Sequence, residues 1–223
     1  MVTIKEIAKH CNVSIATVSN IINGKPNASK ETKERVLQAI EELNYTPNYI
    51  AKNLKTRRTR TIGVVVEDIT VFYAPEIIDG ITKCCEEKGY HILLTNLRLY
   101  KKFGDSYYDN EKFFQMVRRE VKELIAKQVD GIVYVTAHER ALKYLPENLT
   151  VPASMAYGYT KSEHYPSVVV DDKKGAYEIV NYVISMGHKN IGVITGKERS
   201  IHTHDRLLGY QKALYDHSFF LYR

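Results

Sequence analysis

The sequence of 223 residues is long enough for one large domain or two smaller ones, and 44% hydrophobic with 26% charged residues is typical of soluble globular proteins. No stretch approaches the run of about 20 apolar residues that a membrane helix needs, and no basic-then-apolar leader opens the chain. We therefore expect a cytoplasmic protein without a membrane partner. The three cysteines have neither the spacing of a disulfide framework nor that of a metal site.

The net charge of +6 is concentrated in the first quarter of the chain. Residues 1–60 hold 11 lysines and arginines against 5 acidic residues, whereas residues 61–223 hold 21 of each. A basic segment joined to a neutral body is typical of a protein whose smaller part binds a polyanion.

The basic segment begins with two short helical patterns separated by a tight turn. Thr3 can cap the first helix, and Glu6, three residues later, completes a capping box. Asn12 suits a left-handed turn position, and Ser14 can cap the second helix. This spacing predicts a helix-turn-helix.

The second helix combines an apolar inner face with a small, polar outer face. Its inward positions are Val18, Ile21 and Ile22, and its outward positions are Ile15, Ala16, Thr17, Ser19 and Asn20. Two readings of Ile15 stay open: it contacts an apolar base edge such as a thymine methyl group, or it packs on the next helix.

A third helix is predicted at roughly 30–43, with Ser29 as its cap. Its expected core face consists of Val36, Leu37, Ile40 and Leu43. Three helices around one small core form a compact domain in which the second helix can enter a DNA major groove.

The first 54 residues resemble the DNA-binding head of the lactose-repressor (LacI/GalR) family. The resemblance rests on Thr3-Ile4, Ile7-Ala8, Val13-Ser14, Thr17-Val18-Ser19, Asn23, Leu43-Asn44-Tyr45, Pro47-Asn48, Ala51 and Leu54. It implies phosphate contacts by hydroxyl and amide side chains, namely Thr3, Ser14, Thr17, Ser19, Asn23, Ser29, Thr32, Tyr45 and Asn48. It assigns base reading to Ile15, Ala16 and Asn20, with Asn27 nearby. The family often has Arg or His where this chain has Asn20, and an Asn prefers adenine.

Residues 47–60 form the expected hinge helix and linker. In the family this short helix folds when two copies pair on DNA, with Ala51 on the helix and the residue at Leu54 wedged into the minor groove. The alternative is a plain linker whose Leu54 packs on the body. The expected domains are thus a helix-turn-helix domain at 1–46, the hinge at 47–60 and an effector-binding and dimerisation domain at 61–223.

The body alternates short β-branched runs with helical patterns, which predicts a parallel sheet with helices on both faces. The predicted strands are Ile62–Val66, Ile92–Thr95, Gly131–Val135, Pro152–Tyr157, Val168–Val170 and Ile191–Thr195. The predicted helices are 75–88, 110–127, 173–186 and 205–216. The fold class is therefore α/β, preceded by the three-helix domain.

The body resembles the type I periplasmic-binding-protein-like effector domain of the same family. The matching motifs include Glu67-Asp68, Phe72-Tyr73, Asp171-Asp172, Met186-Gly187-His188 and Arg206 with Gly209-Tyr210. The resemblance implies that Arg206 binds the polar part of a small effector and that Phe72 and Tyr73 stack on it. Asp68, Tyr157 and His202 complete the expected effector site. Ala156 replaces an Asp that many sugar-binding members carry, so the resemblance does not extend to a standard hexose contact.

The sequence gives little support for a metal site or an enzyme active site. The run His202-x-His204-Asp205 lacks a further ligand at suitable spacing, so we expect no metal and no cofactor. No nucleophile with a paired base and no phosphate-binding glycine loop is present, so we expect no enzyme. For the long connection 97–109, a cover over the cleft, a dimer contact and a simple loop all remain open.

The chain stops soon after the helix that contains Arg206, so we expect an incomplete second subdomain with an open sheet edge and uncovered apolar helix faces. The leading interpretation is a homodimeric repressor that binds double-stranded operator DNA and responds to a small effector, sugar-like or a related metabolite. The alternative is a small-molecule binding protein without regulatory DNA binding.

Overall fold

The computed structural model describes residues 2–46, 58–71, 73–104, 110–142, 145, 148–160, 164–196, 198 and 200–219. The chain divides into two compact units, Met1–Arg57 and Arg58–Arg223. The predicted hinge helix, with Asn48, Ala51 and Leu54, and the predicted effector residue Phe72 lie outside the described residues.

Residues 2–46 of the first unit contain three helices, as predicted: α1 (Ile4–His10), α2 (Ile15–Ile22) and α3 (Lys30–Glu42). Thr3 and Glu6 form the capping box, and Asn12 has a positive φ of 49° in the turn before α2. These local signals fix where the helices begin because each cap satisfies N–H groups that have no partner inside the helix.

The three helices pack around one small apolar core. Its buried members are Ile7, Ala8, Cys11, Val18, Ile21, Val36 and Ala39. The prediction for Leu37 was wrong, since this side chain is 43% exposed. Val36, Ala39 and Ile40 share one face at helical spacing, and Leu37 lies about 100° around the helix from Val36.

The second unit is an α/β domain, which confirms the predicted fold class. In chain order it contains β1 (Thr61–Val66), α4 (Ala74–Glu87), β2 (His91–Asn96), α5 (Leu99–Phe103), α6 (Glu111–Ala126), β3 (Gly131–Val135), β4 (Ala141–Leu142), β5 (Ala153–Ala156), β6 (Tyr159–Thr160), β7 (Ser167–Val168), α7 (Asp172–Ser185) and α8 (Ile201–Asp216). The short helix α5 occupies part of the connection 97–109, whose residues 105–109 lie outside the described residues.

Five strands form a parallel sheet in the order β2-β1-β3-β5-β7. Val64, Val65 and Val66 of β1 are all fully buried. Because successive residues of a strand point to opposite faces, both faces of the sheet are covered at β1. The strands β4 and β6 pair separately as a small parallel ladder, which the sequence pattern did not predict.

The predicted strand Ile191–Thr195 is wrong, because residues 191–196 have no regular secondary structure. A strand needs a hydrogen-bonded neighbour, and within the described residues no segment forms a ladder with this one. Ile191 packs against the core of the last two helices, whereas Val193 is exposed and Ile194 is fully exposed. The predicted strand Val168–Val170 is also shorter than expected and ends at Val168.

Helices α7 and α8 pack closely against each other at the end of the unit. Their shared core consists of Val180, Tyr210, Ala213 and Leu214. A Cβ atom on Gly209 would lie 2.1 Å from the backbone oxygen of Lys173, so only glycine permits this approach. This contact holds the start of α7 against the middle of α8, and Asp172 at the start of α7 contacts His202 and Arg206 of α8.

Within the described residues, no helix is long and apolar enough to cross a membrane.

Candidate DNA-binding surface and ligand cavity

The outer face of α2 is uncharged and partly apolar at its start. Ile15 is 45% exposed and Ala16 is exposed beside it, and Ile15 is not part of the core of the first unit. The structure thus gives no support to the reading in which Ile15 packs on the next helix. Asn20 is half-buried on the same helix.

The beginning of α2 provides hydrogen-bond donors for an anion. The Ser14 hydroxyl accepts from the Thr17 N–H at 3.0 Å, and the two hydroxyl groups lie 2.8 Å apart. The first turn contains no acidic residue, so the positive end of the helix dipole is not neutralised. Ser29 and Thr32 repeat the same cap at α3, with their hydroxyls also 2.8 Å apart.

The remaining predicted DNA contacts differ in exposure. Thr3, Asn23, Asn27 and Ser29 are exposed, whereas Thr17, Ser19, Thr32 and Tyr45 are half-buried. The Asn23 side chain donates to the Ser19 carbonyl at 2.7 Å and so fixes the end of α2. Tyr45 packs against the helical core, which leaves only part of its side chain available to a phosphate.

The second unit contains a cavity of about 880 Å³. One wall is apolar and is built mainly from α7 and residues 191–194, with Val170, Ile179, Val180, Val183, Ile191 and Val193 among its members. A connected group of polar side chains also lines the space and forms its polar end, namely Tyr73, Tyr157, Asp172, His202 and Arg206. An apolar cavity with a few convergent polar groups is the usual form of a small-molecule site.

Four of the predicted effector residues meet at this polar end. The rings of Tyr73 and Tyr157 lie 4.4 Å apart, and the Tyr157 ring stacks on His202 with centroids 5.6 Å apart. The Tyr157 hydroxyl lies 3.0 Å from His202 Nε2. Arg206 is 63% exposed at the side chain and lines the same end of the cavity.

Asp172 connects two of these groups and was not assigned to the site from the sequence. Its Oδ2 lies 2.5 Å from His202 Nδ1, and its Oδ1 accepts from Arg206 Nε at 2.6 Å. The signal was available, since Asp171-Asp172 is one of the motifs quoted for the family. An Asp pair before a helix is also typical of a helix N-cap, which hides any second role, and Asp171 does cap α7.

The loop after β3 supplies the other residues that sequence reasoning missed. The Tyr73 hydroxyl donates to the Ala137 carbonyl at 3.0 Å and lies 3.3 Å from His138 Nδ1, while the Tyr100 hydroxyl bonds to His138 Nε2. Glu139 follows, and burial raises the pKa of its carboxyl, with the nearby carboxylate of Asp172 adding to the effect. No spacing in the sequence links these residues to α7 or α8.

A buried ion pair anchors this loop to the sheet. Glu67 is fully buried at the end of β1 and accepts from Arg140 Nη1 at 3.0 Å and Nη2 at 2.6 Å. The Tyr134 hydroxyl and the Ala137 N–H also donate to it, at 2.8 Å and 2.7 Å. Such a fully hydrogen-bonded pair holds the loop in one position.

Asp68 lies apart from the residues that line the cavity. Burial disfavours its charge, but hydrogen bonds from the hydroxyl and N–H of Thr70 and from the Tyr100 N–H outweigh burial. With the charge of Arg98 nearby, they hold the pKa of Asp68 below its ordinary value. The role of Asp68 in effector binding stays a prediction, and its observed contacts hold the loop after β1.

Asp68→Asn is expected to lower stability above the ordinary aspartate pKa and to have less effect in acid. A carboxyl with a lowered folded pKa stabilises the fold above its unfolded pKa, near 3.9, and loses this contribution as pH falls through its folded pKa. Urea unfolding of both proteins at a series of pH values from about 3 to 7 measures this. Stability curves that stay parallel across this range would contradict the assignment.

Each of the two units matches a known protein family. Residues 59–221 match the periplasmic binding proteins and sugar binding domain of the LacI family, and residues 3–48 match the bacterial regulatory proteins of the lacI family. The chain belongs to the LacI family. This confirms the resemblance drawn from the motifs of the head and the body.

The relatives include a catabolite control protein and a transcriptional repressor. Catabolite control protein A of Priestia megaterium is 33% identical over 219 residues, which cover 96% of this chain and 61% of that protein. The transcriptional repressor PurR of Escherichia coli is 34% identical over 217 residues, covering 96% of this chain and 60% of PurR. The chain thus spans about 60% of the length of these curated relatives.

Solved structures agree in fold. The Lac repressor dimer bound to operator and the anti-inducer ONPF gives a TM-score of 0.68 at 21% identity, covering 98% of this chain and 63% of that one. The transcriptional regulator CelR in complex with cellobiose gives a TM-score of 0.50 at 26% identity, covering 100% of this chain and 64% of CelR.

Proposed function

We propose that this LacI-family chain binds a specific site in double-stranded DNA through the outer face of α2, as a homodimer, and acts as a transcriptional repressor. The observation that carries the proposal is the exposed, uncharged surface of Ile15 and Ala16 beside the capped start of α2. Apolar groups at a helix start suit thymine methyl groups, and the half-buried amide of Asn20 suits an adenine edge.

Phosphate contacts supply the affinity and fix the position on DNA. The capped starts of α2 and α3 each present two hydroxyl groups beside N–H groups that have no partner inside the helix. The lysines and arginines of residues 1–60 add net positive charge around them. The proposed hinge at 47–60, with Ala51 and Leu54, pairs with its copy at the minor groove.

The body binds a small effector at the polar end of its cavity. Asp172 accepts from Arg206 Nε, and the side chain of Arg206 is largely exposed, so its terminal nitrogens are available to an anionic or hydroxyl-bearing group. The ring of Tyr157 provides an adjacent stacking surface. A sugar or related metabolite fits these groups, and its binding changes operator affinity by favouring one of two states of the body.

Asn20→Ala is expected to relax sequence preference at one position in each half-site, at a cost of about 1–3 kcal/mol, because an amide can read adenine with two hydrogen bonds. The measurement begins with selection of bound sequences from a random DNA pool by the unmodified chain. Binding of the variant to the selected site and to its single-base variants follows. Gln38→Ala, an exposed amide change on α3, is the matched control and should leave binding unchanged.

Failure to enrich any sequence would remove the DNA-binding proposal and favour a small-molecule binding protein. An equal loss by Asn20→Ala on selected and unrelated DNA would keep DNA binding but exclude base reading by Asn20.

Arg206→Ala is expected to abolish the rise in melting temperature that an effector causes, since it removes the exposed cation of the cavity. Melting curves against a panel of sugars, sugar phosphates and carboxylated metabolites measure the effect. The control is Lys174→Ala, an exposed cation on α7 that lies outside the cavity lining. An effector that stabilises both variants equally would exclude Arg206 from the site.

A further inference from the structure

Three metal-ligating side chains from separate segments converge beside the cavity. Glu139 comes from the loop after β3, Asp172 is the first residue of α7, and His202 lies in the first turn of α8. Each offers one ligand atom, and these atoms all lie within 4.8 Å of one another. Asp172 and His202 also line the polar end of the cavity.

Within the described residues, Asp172 pairs with the Arg206 guanidinium, whereas Glu139 has no ion-pair partner. Its Oε2 is buried and has no hydrogen-bond partner, alone among the buried side-chain nitrogen and oxygen atoms of the described residues. The carboxyl receives a backbone hydrogen bond from Val170, and one of its oxygens lies within 4.8 Å of the ligand atoms of Asp172 and His202. A buried, unsatisfied carboxylate oxygen next to a second buried carboxylate is costly unless a cation neutralises it.

The position of Glu139 is fixed from both sides along the chain. The preceding His138 bonds to the hydroxyl groups of Tyr73 and Tyr100, and the following Arg140 makes two hydrogen bonds to buried Glu67. A ligand held by its neighbours in this way is preorganised, because little side-chain or loop freedom is lost when an ion binds.

His202 is oriented as a ligating histidine is. Its Nε2 lies 3.0 Å from the Tyr157 hydroxyl, and its Nδ1 faces Asp172 Oδ2 at 2.5 Å. Metal-bound histidines have their second nitrogen held by an outer hydrogen-bond partner, which is the place that Tyr157 occupies here. Arg206 contacts the other carboxylate oxygen of Asp172, so it does not occupy the position between Asp172 and His202.

We propose that Glu139, Asp172 and His202 form a binding site for a divalent transition metal ion, for which Zn²⁺ is the best match. One imidazole and two carboxylates are suitable ligands for Zn²⁺, and three protein ligands leave a coordination position open. Zn²⁺ ligand distances of about 2.0–2.2 Å place ligand atoms no more than about 4.4 Å apart. Two ligands of a tetrahedral ion at these distances are about 3.4 Å apart. Asp172 Oδ2 and His202 Nδ1, now 2.5 Å apart, therefore separate when the ion enters between them. The neutral imidazole then carries its proton on Nε2 and donates it to the Tyr157 oxygen.

The site is tested with Zn²⁺ alone, added to the full chain after treatment with a chelator. Isothermal titration is expected to show one ion per chain, and affinity is expected to fall by about 10-fold or more in both Glu139→Gln and His202→Gln. His204→Gln is the matched control, because His204 is an exposed histidine two residues along the same helix. Cys84→Ser controls for the exposed thiol.

A second measurement does not depend on the variants. Pulsed electron paramagnetic resonance of the unmodified chain with bound Mn²⁺ is expected to show coupling to a single histidine nitrogen. Absence of saturable binding would overturn the proposal, as would full retention of affinity in Glu139→Gln and His202→Gln. Loss of binding in His204→Gln or Cys84→Ser would assign the ion to the surface and overturn it equally. Both measurements use Zn²⁺ or Mn²⁺ alone, without DNA and without an effector, so a failure here is distinguishable from a failure of the proposed function.

Discussion

Raising the salt concentration from 50 to 200 mM is expected to weaken DNA binding by about 10³- to 10⁵-fold. The reason is the net charge of +6 on residues 1–60, which the proposed homodimer would present twice. Each lysine or arginine that neutralises a phosphate releases a condensed counterion, so the logarithm of affinity falls linearly with the logarithm of salt. Fluorescence anisotropy with the selected site, measured over this salt range, gives the slope.

The control compares a charged and an uncharged change in the same domain. Lys33→Ala, an exposed cation on α3, should reduce the slope by about one if it contacts a phosphate, whereas Gln38→Ala should leave it unchanged. A slope near zero for the unmodified chain would mean that the basic charge of the first unit does not contact DNA.

Arg140→Met is expected to destabilise the body by about 3–5 kcal/mol. The substitution removes two hydrogen bonds and the opposite charge from Glu67, which is fully buried and cannot regain water without local unfolding. Stabilities of whole domains are only about 5–15 kcal/mol, so this loss is a large part of the total. Urea unfolding of the second unit, followed by far-ultraviolet circular dichroism, measures it.

The double variant Glu67→Gln with Arg140→Met separates charge from packing. Because it removes the uncompensated carboxylate, it is expected to be more stable than Arg140→Met alone. If Arg140→Met lowers the free energy of unfolding by less than about 1 kcal/mol, the ion pair contributes no more than an ordinary surface pair. Glu139 lies in the loop that Arg140 anchors, so the same measurement shows how strongly the ion pair stabilises the loop that carries Glu139.

The first unit was predictable because its signals are local. Thr3 with Glu6, Ser14 and Ser29 each define a helix start within four residues, and Asn12 defines the turn. The prediction that Leu37 is buried was wrong because it depended on more than a local signal. Leu37 follows the apolar Val36, and the packing of the three helices buries Ala39 and leaves Leu37 exposed.

The body was predictable in its alternation of strands and helices but not in its pairing. The run Ile191–Thr195 has the composition of a strand, yet strand formation depends on a neighbouring segment, and within the described residues none pairs with it. The strands β4 and β6 are the opposite case, because they pair although each has only two residues, too few to show a strand pattern in the sequence.

The sequence by itself determined the family and the fold class, and it predicted the residues proposed to face DNA, because short motifs and helical periodicity are local properties of the chain. Only the tertiary structure showed that Asp172 contacts Arg206 and that Glu139 lies beside Asp172 and His202. Asp172 and His202 lie 30 residues apart and Glu139 lies 33 residues before Asp172, so their contact depends on how the loop after β3, α7 and α8 pack. Burial makes an unpaired carboxylate energetically costly, because packing removes the water that would otherwise solvate its charge. A cation can then offset this cost.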